Sequence, residues 1–258
     1  GFLLLPVYLA IPEHDVIKTT DFINAYLDMV SALTTTGFVV FEPELLPDTI
    51  HLWRAVVAWL GGALIWLVAV AILAPMNLGG FEVASGSPTN QTHYLTSNER
   101  KLFLNRNFSA LLPIYLTLTG VLWFALTVSG LPGFDSLIFA MSILSTSGIT
   151  AVKSLSDFNG NWIAEVVIFL FLIFAITRGV ITRERSITSS GRFSSSTELW
   201  IASVIIVSVT VLLIIGQSLN LIVSQNDVYF FPTIKMIWAN LFTVTSFLTT
   251  NGWPSGFW

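Results

Sequence analysis

Apolar residues in this chain come as long runs rather than alternating positions, and the runs have two lengths. Four of them, 50–74, 108–128, 162–181 and 199–215, fall in the range of about 17–25 residues that carries a helix across a bilayer. Between them lie three shorter segments, 21–33, 134–144 and 232–248. At about 1.5 Å per residue the first two reach only about half a hydrocarbon core, and polar residues break up the third. Each short segment has a plausible helix start: Thr20 and Asp21, Gly133 to Asp135, and Pro232 with Thr233. The prediction is an all-α polytopic membrane protein in which spanning helices alternate with half-length ones.

Each half-length segment runs into the same octamer. The copies are Ser31-Ala-Leu-Thr-Thr-Thr-Gly37-Phe38, Ser142-Ile-Leu-Ser-Thr-Ser-Gly148-Ile149 and Ser246-Phe-Leu-Thr-Thr-Asn-Gly252-Trp253, with glycines 111 and then 104 residues apart. One such octamer would read as a helix cap or a turn; three in register are an internal repeat. The unit is a spanning helix, a half-helix, a hydroxyl-and-glycine loop and a second spanning helix. Two crossings per unit give successive units one orientation, so the three loops face one side and can surround one axis. The segments are 1–75 (first unit, its first helix truncated), 76–107 (linker), 108–181 (second unit), 182–198 (linker) and 199–258 (third unit, its last helix missing).

Irregular backbone at membrane depth is tolerated only where protein buries it or water lines it. A loop at the inner end of a half-helix offers carbonyl oxygens, because the last helical turn leaves them unpaired, and the helix dipole there favours a cation. Rings of carbonyls can replace the hydration shell of K⁺. The candidate ion-coordinating residues are therefore Thr34, Thr35, Thr36 and Gly37, then Ser145, Thr146, Ser147 and Gly148, then Thr249, Thr250, Asn251 and Gly252. Glycine permits the dihedrals that turn carbonyls toward a common centre, and the hydroxyls satisfy neighbouring backbone or face the ion. The work is coordination, with no proton moved and no bond made.

Composition sharpens this picture. The chain is 54% hydrophobic and 10% charged, against about 25% charged in soluble domains, and its mean hydropathy is +0.78. A net charge of −4 and the lack of a basic arm argue against nucleic acid. There is no cysteine, hence no disulfide or thiolate site. Arg100, Lys101 and Arg106 lie in one linker and Arg178, Arg183, Arg185 and Arg192 in or near the other, which places both linkers in the cytoplasm. The sequons at Asn90 and Asn107 fall on that inner side, against glycosylation. The opposite face carries Glu13, Asp15, Asp21, Asp28, Glu42, Glu44, Asp48, Asp135, Asp157 and Asp227 against Lys18, Arg54, Lys153 and Lys235. These acids are either a vestibule that concentrates cations or ordinary solvated loop charges. The short first run, 1–11, reads as the tail of a truncated helix, and the chain as an internal piece of a longer protein. The serine-rich stretch 186–197 reads as a linker ending in a capping box of Ser195 and Glu198.

The three octamers, together with Leu52-Trp-Arg-Ala-Val-Val-Ala-Trp-Leu-Gly-Gly62 and Val68-Ala-Val-Ala-Ile-Leu-Ala-Pro75, resemble the TrkH/KtrB/HKT superfamily of K⁺ transporters, on the bacterial TrkH side. The resemblance spans nearly the whole chain. It implies four filter units around a pseudo-fourfold pore, with filter glycines at Gly37, Gly148 and Gly252 and one and a half units beyond Trp258. It also implies the bacterial inner membrane, a homodimer and a cytosolic nucleotide-binding regulatory subunit. Gly37, where Na⁺-favouring plant relatives have Ser, points to K⁺. Ser147 and Ile149 depart from the commoner Ser-Thr-Gly-Gly-Phe of the second filter, which leaves the K⁺ over Na⁺ preference open.

Two other classes compete. An alternating-access secondary transporter would show inverted repeats, whereas these are parallel. A polytopic membrane enzyme would need paired intramembrane carboxylates or a nucleophile motif, and the spans hold none. His14, His51 and His93 lack metal spacing. Gly61 and Gly62 read as a close helix contact. Glu165, near the outer end of a spanning helix, is either a functional intramembrane acid or one within reach of water. Arg54 stands similarly at an outer helix end. Asp28 on the first half-helix reads as a structural acid capping backbone rather than as a source of negative potential.

Overall fold

The computed structural model of the chain describes residues 22–41, 43, 46–68, 97–152, 161–176, 197–223 and 234–257. Expectations placed on 1–21, 69–96, 153–160, 177–196 and 224–233 lie outside the described residues, among them the truncated first helix, both sequon-bearing and serine-rich linkers except for 97–107, and the capping-box serine.

Seven helices and no strand occur among the described residues: α1 (Phe22–Leu33), α2 (Asp48–Val68), α3 (Ser97–Val128), α4 (Gly133–Ser145), α5 (Trp162–Ile176), α6 (Thr197–Val223) and α7 (Ile234–Leu248). Their lengths separate only in part as the apolar runs do, since α5 as described is 15 residues long, the same as α7. At about 1.5 Å per residue α1, α4 and α7 are about 18–22 Å long, while α2 is about 32 Å and α6 about 40 Å. Within the described residues, α2 and residues 200–218 of α6 are long and apolar enough to cross a membrane; the apolar parts of α3 and α5 are shorter. Two boundaries differ most from the sequence reading, and the first is that α6 runs on to Val223, eight residues past the apolar run. The second is that α3 begins at Ser97, so residues 97–107 of the expected linker are helical and Arg100, Lys101 and Arg106 ride on its first turns.

α3 ends in a Schellman motif around Gly130, whose φ of 100° reverses the chain. Leu131 N–H bonds the Leu126 carbonyl and Gly130 N–H the Thr127 carbonyl. Pro132 precedes α4, the Trp123 indole N–H bonds the Gly133 carbonyl at 2.9 Å, and α4 runs back against α3. α5 opens on Asn161, whose side-chain oxygen accepts Ala164 N–H at 3.3 Å while its Nδ2 donates to the Ser129 carbonyl.

The half-length helices pack against helices of their own and of neighbouring units. α2 packs on both α1 and α4, and α5 on both α4 and α7. Gly61 and Gly62 make the first of these packings possible. A Cβ on Gly61 would collide with the Leu33 carbonyl at the end of α1, and one on Gly62 would lie 2.8 Å from the Ser145 Cβ at the end of α4. One apolar cluster joins Ala25, Met29 and Ala32 of α1 to Val57 and Ala58 of α2 and to Ile149. A second joins α3, α4 and α5 to Phe242 and Trp253. Both lie directly behind the octamer loops.

Candidate functional site

Each half-length helix ends in the same way. In the first loop Thr36 N–H bonds the Ser31 carbonyl and Thr35 N–H the Ala32 carbonyl; in the second Ser147 bonds Ser142 and Thr146 bonds Ile143; in the third Asn251 bonds Ser246 and Thr250 bonds Phe247. These are Schellman closures, and the left-handed residue in each is a threonine: φ is 55° at Thr35, 51° at Thr146 and 65° at Thr250. A β-branched residue there is a true backbone outlier, held by its surroundings at a cost of about 1–3 kcal/mol. The loop glycines come two residues later, with φ of 70°, 69° and 70° at Gly37, Gly148 and Gly252. They do not close the helices; they turn the strand that leaves them.

This closure corrects one element of the sequence argument. The last-turn carbonyls of Ser31, Ala32, Ser142, Ile143, Ser246 and Phe247 are already bonded by the loop amides. Among the described residues no hydrogen bond reaches the last carbonyls of the half-helices, at Leu33, Leu144, Ser145 and Leu248, so free oxygens remain there as well as in the loops. Among the described residues no hydrogen bond reaches the carbonyls of Thr36, Gly37, Ser147, Asn251 or Gly252.

The first serine of each octamer, absent from the candidate set, has a role of its own. Ser31 Oγ accepts Phe38 N–H at 2.7 Å and Ser246 Oγ accepts Trp253 N–H at 2.8 Å, pinning the residue after each glycine to its own helix. Ser142 Oγ lies instead 3.2 Å from Ser147 Oγ. Its recurrence at the first position of all three octamers was the available signal. Behind each glycine the preceding polar side chain turns back to its helix end: Thr36 Oγ1 to Thr34 Oγ1 at 2.9 Å, Ser147 Oγ to Ser145 Oγ at 3.0 Å, and Asn251 Nδ2 to Thr249 Oγ1 at 3.3 Å.

The three loops, more than 100 residues apart in sequence, touch in order. A Cβ on Gly37 would collide with the Ser147 carbonyl and one on Gly148 with the Asn251 carbonyl, whereas Gly252 has nothing within 4 Å. Thr250 Oγ1 donates to the Thr146 carbonyl at 3.1 Å, and the Trp253 indole N–H to the Gly148 carbonyl at 2.9 Å. Loop two lies between the others. Ser145 and Ser147 are buried, while Thr34, Thr36, Thr250 and Gly252 on the flanking loops are exposed.

Two ionisable side chains occupy one register behind the loops, 17 residues after their glycines: Arg54 on α2 and Glu165 on α5. The reading in which both reach water is overturned, since they are 3% and 1% exposed. Arg54 pairs with buried Asp28 on α1 at 2.9 Å. Glu165 reaches across to the third loop. Its oxygens accept the Gly256 N–H at 2.6 Å, the Ser255 hydroxyl at 2.9–3.0 Å and the Trp238 indole N–H at 2.8 Å. His51, 2% exposed, lies with Nε2 2.9 Å from the Pro43 carbonyl after loop one. Among the described residues no group of His, Asp and Glu could hold a metal ion. At the mouth of α4, burial first and the charge of Asp48 second hold the Asp135 carboxyl above its ordinary range.

No family-level sequence profile matches the chain. It is similar to Trk system potassium uptake proteins: 31% identical over 152 residues to TrkI of Halomonas elongata, covering 57% of this chain and 28% of that one. To TrkH of Salmonella typhimurium it is 28% identical over 159 residues, 61% of this chain and 32% of that one. The matched stretch thus covers about a third of the length of these relatives. The crystal structure of the potassium transporter TrkH from Vibrio parahaemolyticus matches with a TM-score of 0.62 at 23% identity, over 91% of this chain and 45% of that one. The all-helical fold is that of the TrkH structure.

Proposed function

We propose that this chain is part of the ion-conducting transmembrane subunit of a TrkH-like K⁺ uptake system, with the three octamer loops forming three quarters of its filter. The observation that carries this reading is the mutual contact of three loops with one backbone form, glycine to neighbouring carbonyl, in chain order. Dehydrated K⁺ would be held by loop carbonyls among Thr34–Gly37, Ser145–Gly148 and Thr249–Gly252 and drawn inward by the membrane potential, worth about 2.3 kcal/mol per charge per 100 mV. The open flank of Gly252 fits a fourth loop closing a pseudo-fourfold ring. The sequence boundaries 1–75, 108–181 and 199–258 for three pore units, with linkers 76–107 and 182–198, belong to the same proposal. So do the multi-pass placement in a bacterial inner membrane, a homodimer, and a cytosolic nucleotide-binding regulatory subunit, which rest on the likeness to TrkH. No step calls for an enzyme's chemistry.

The test is Rb⁺ uptake by the complete protein in cells lacking their own K⁺ uptake systems. Uptake that saturates with Rb⁺ and is displaced by K⁺ is expected; cells that neither grow on low K⁺ nor take up Rb⁺ overturn the reading.

A further inference from the structure

The three loops are alike in backbone but not in how they are tied to one another. The eighth octamer residue follows the glycine and packs on the half-helix of the preceding unit. Ile149 lies in one apolar cluster with Ala25, Met29 and Ala32 of α1, and Trp253 packs on Phe139 of α4, edge to face with ring centroids 5.1 Å apart. Ile149 carries no donor, so its contact with the first unit is apolar only. Trp253 carries an indole N–H, and that N–H reaches the carbonyl of Gly148, the loop-two glycine, at 2.9 Å. The Thr250 hydroxyl makes a second tie to the Thr146 carbonyl at 3.1 Å. Loops two and three are therefore hydrogen-bonded to each other, whereas among the described residues no hydrogen bond joins loops one and two.

The indole is itself held from three sides. Its ring is 7% exposed, its backbone N–H is bonded to Ser246 Oγ at 2.8 Å, and the strand beyond it is gripped at Ser255 and Gly256 by Glu165. Glu165 is on α5, the helix that follows loop two. The second unit thus holds the third loop by its strand, and the third loop holds the second by its glycine carbonyl.

We propose that Trp253 is a specificity-determining residue of the ion site, a clamp that fixes the Gly148 carbonyl in place, with Glu165 as the positioning residue that steadies the clamp. This rests on the carbonyl-filter reading above. A carbonyl oxygen has two lone pairs; the indole engages one and leaves the other for a cation. An oxygen so tethered keeps its distance from the pore axis, whereas a free one can follow a smaller ion inward. Selectivity for K⁺ over Na⁺ depends on preventing that collapse, whether cavity size or carbonyl field strength dominates.

The experiment uses the complete protein in K⁺-uptake-deficient cells, with Rb⁺ influx measured against Na⁺ influx. W253F keeps an aromatic ring beside Phe139 and removes the N–H together with the pyrrole half of the indole. Rb⁺ influx is expected to persist while the Rb⁺:Na⁺ ratio falls about two- to tenfold, the range set by one neutral hydrogen bond. Glu165→Gln puts an amide N–H where the carboxylate accepted the Trp238 indole, so it is expected to shift the ratio in the same direction, and adding Trp238→Phe to restore part of it. Selective uptake by the unsubstituted protein with an unchanged ratio in W253F overturns the clamp alone. Absence of Rb⁺ uptake by the unsubstituted protein overturns the filter reading and the clamp with it. Should W253F not reach the membrane, Glu165→Gln decides: an unchanged ratio overturns the clamp, and recovery by Trp238→Phe sustains it.

Discussion

Glycine at Gly37, Gly148 and Gly252 is required twice over at the first two positions and once at the third. All three have φ near 70°, which strains any side chain. At Gly37 and Gly148 an added Cβ would also meet a neighbouring carbonyl oxygen, while the space beside Gly252 is open in this chain. G37A and G148A are expected to lower Rb⁺ uptake by the complete protein more than tenfold. If a fourth loop closes the ring, G252A will be as damaging as the other two; if that flank stays open, G252A will be the mildest, and parallel uptake assays separate the outcomes. The octamer serines give a finer prediction. Ser31→Ala and Ser246→Ala leave the amides of Phe38 and Trp253 without their acceptors, at about 1–3 kcal/mol each where the amide is buried. Ser142→Ala breaks only a hydroxyl pair. Thermal unfolding in detergent should show the first two less stable than the third. None of this was legible at the threonines, because Thr has no preference for the left-handed region in which Thr35, Thr146 and Thr250 lie.

At the scale of elements, α2 and α5 act as wedges between successive half-helices, and each carries one buried ionisable residue at the same register. The pair of Arg54 with Asp28 joins α2 to α1 with side chains 3% and 0% exposed. Arg54 Nε and Asp28 Oδ2 have no hydrogen-bond partner among the described residues. A buried pair so placed contributes little net stability when intact, yet losing one partner strands a charge at a cost of about 3–5 kcal/mol. Asp28→Asn is therefore expected to lower the unfolding temperature sharply. The double change Asp28→Leu with Arg54→Met should recover most of it, and a double variant no better than the single one would refute the stranded-charge account. The helices themselves were legible, because a run of apolar residues measures its own length. The pairing was not, since Asp28 and Arg54 lie on different helices, Asp28 reading locally as a structural acid on its half-helix and Arg54 as a residue near a wet helix end.

At the scale of the whole molecule, the proposed orientation makes a prediction that needs no transport assay. With no cysteine in its 258 residues, the chain presents no background to thiol labelling. Asp48→Cys and Gly133→Cys, at the exposed starts of α2 and α4, should react with an impermeant maleimide added outside intact cells. Asn98→Cys, in the first turn of α3, should react only after permeabilisation. Labelling of Asp48→Cys and Gly133→Cys from opposite sides would refute the parallel units, and labelling of all three from one side the crossing by α3. The exposed apolar side chains of α1, including Phe22, Ile23, Tyr26 and Leu27, and of α7, including Ile234 and Phe247, lie on the half-helices of the two flanking loops. That is where further protein would seat if the ring is completed.

The sequence by itself determined the helix inventory, the two helix lengths and the positions of the three loops, because run length and an eight-residue recurrence are local properties of a chain. Only the tertiary structure decided that threonine closes each half-helix, that the loops touch glycine to carbonyl, and that Trp253 and Glu165 tie the second unit to the third. The last two of these depend on groups 90 to 110 residues apart coming into contact. No local pattern encodes such a meeting; it arises when α2 and α5 pack between the half-helices and bring their ends together.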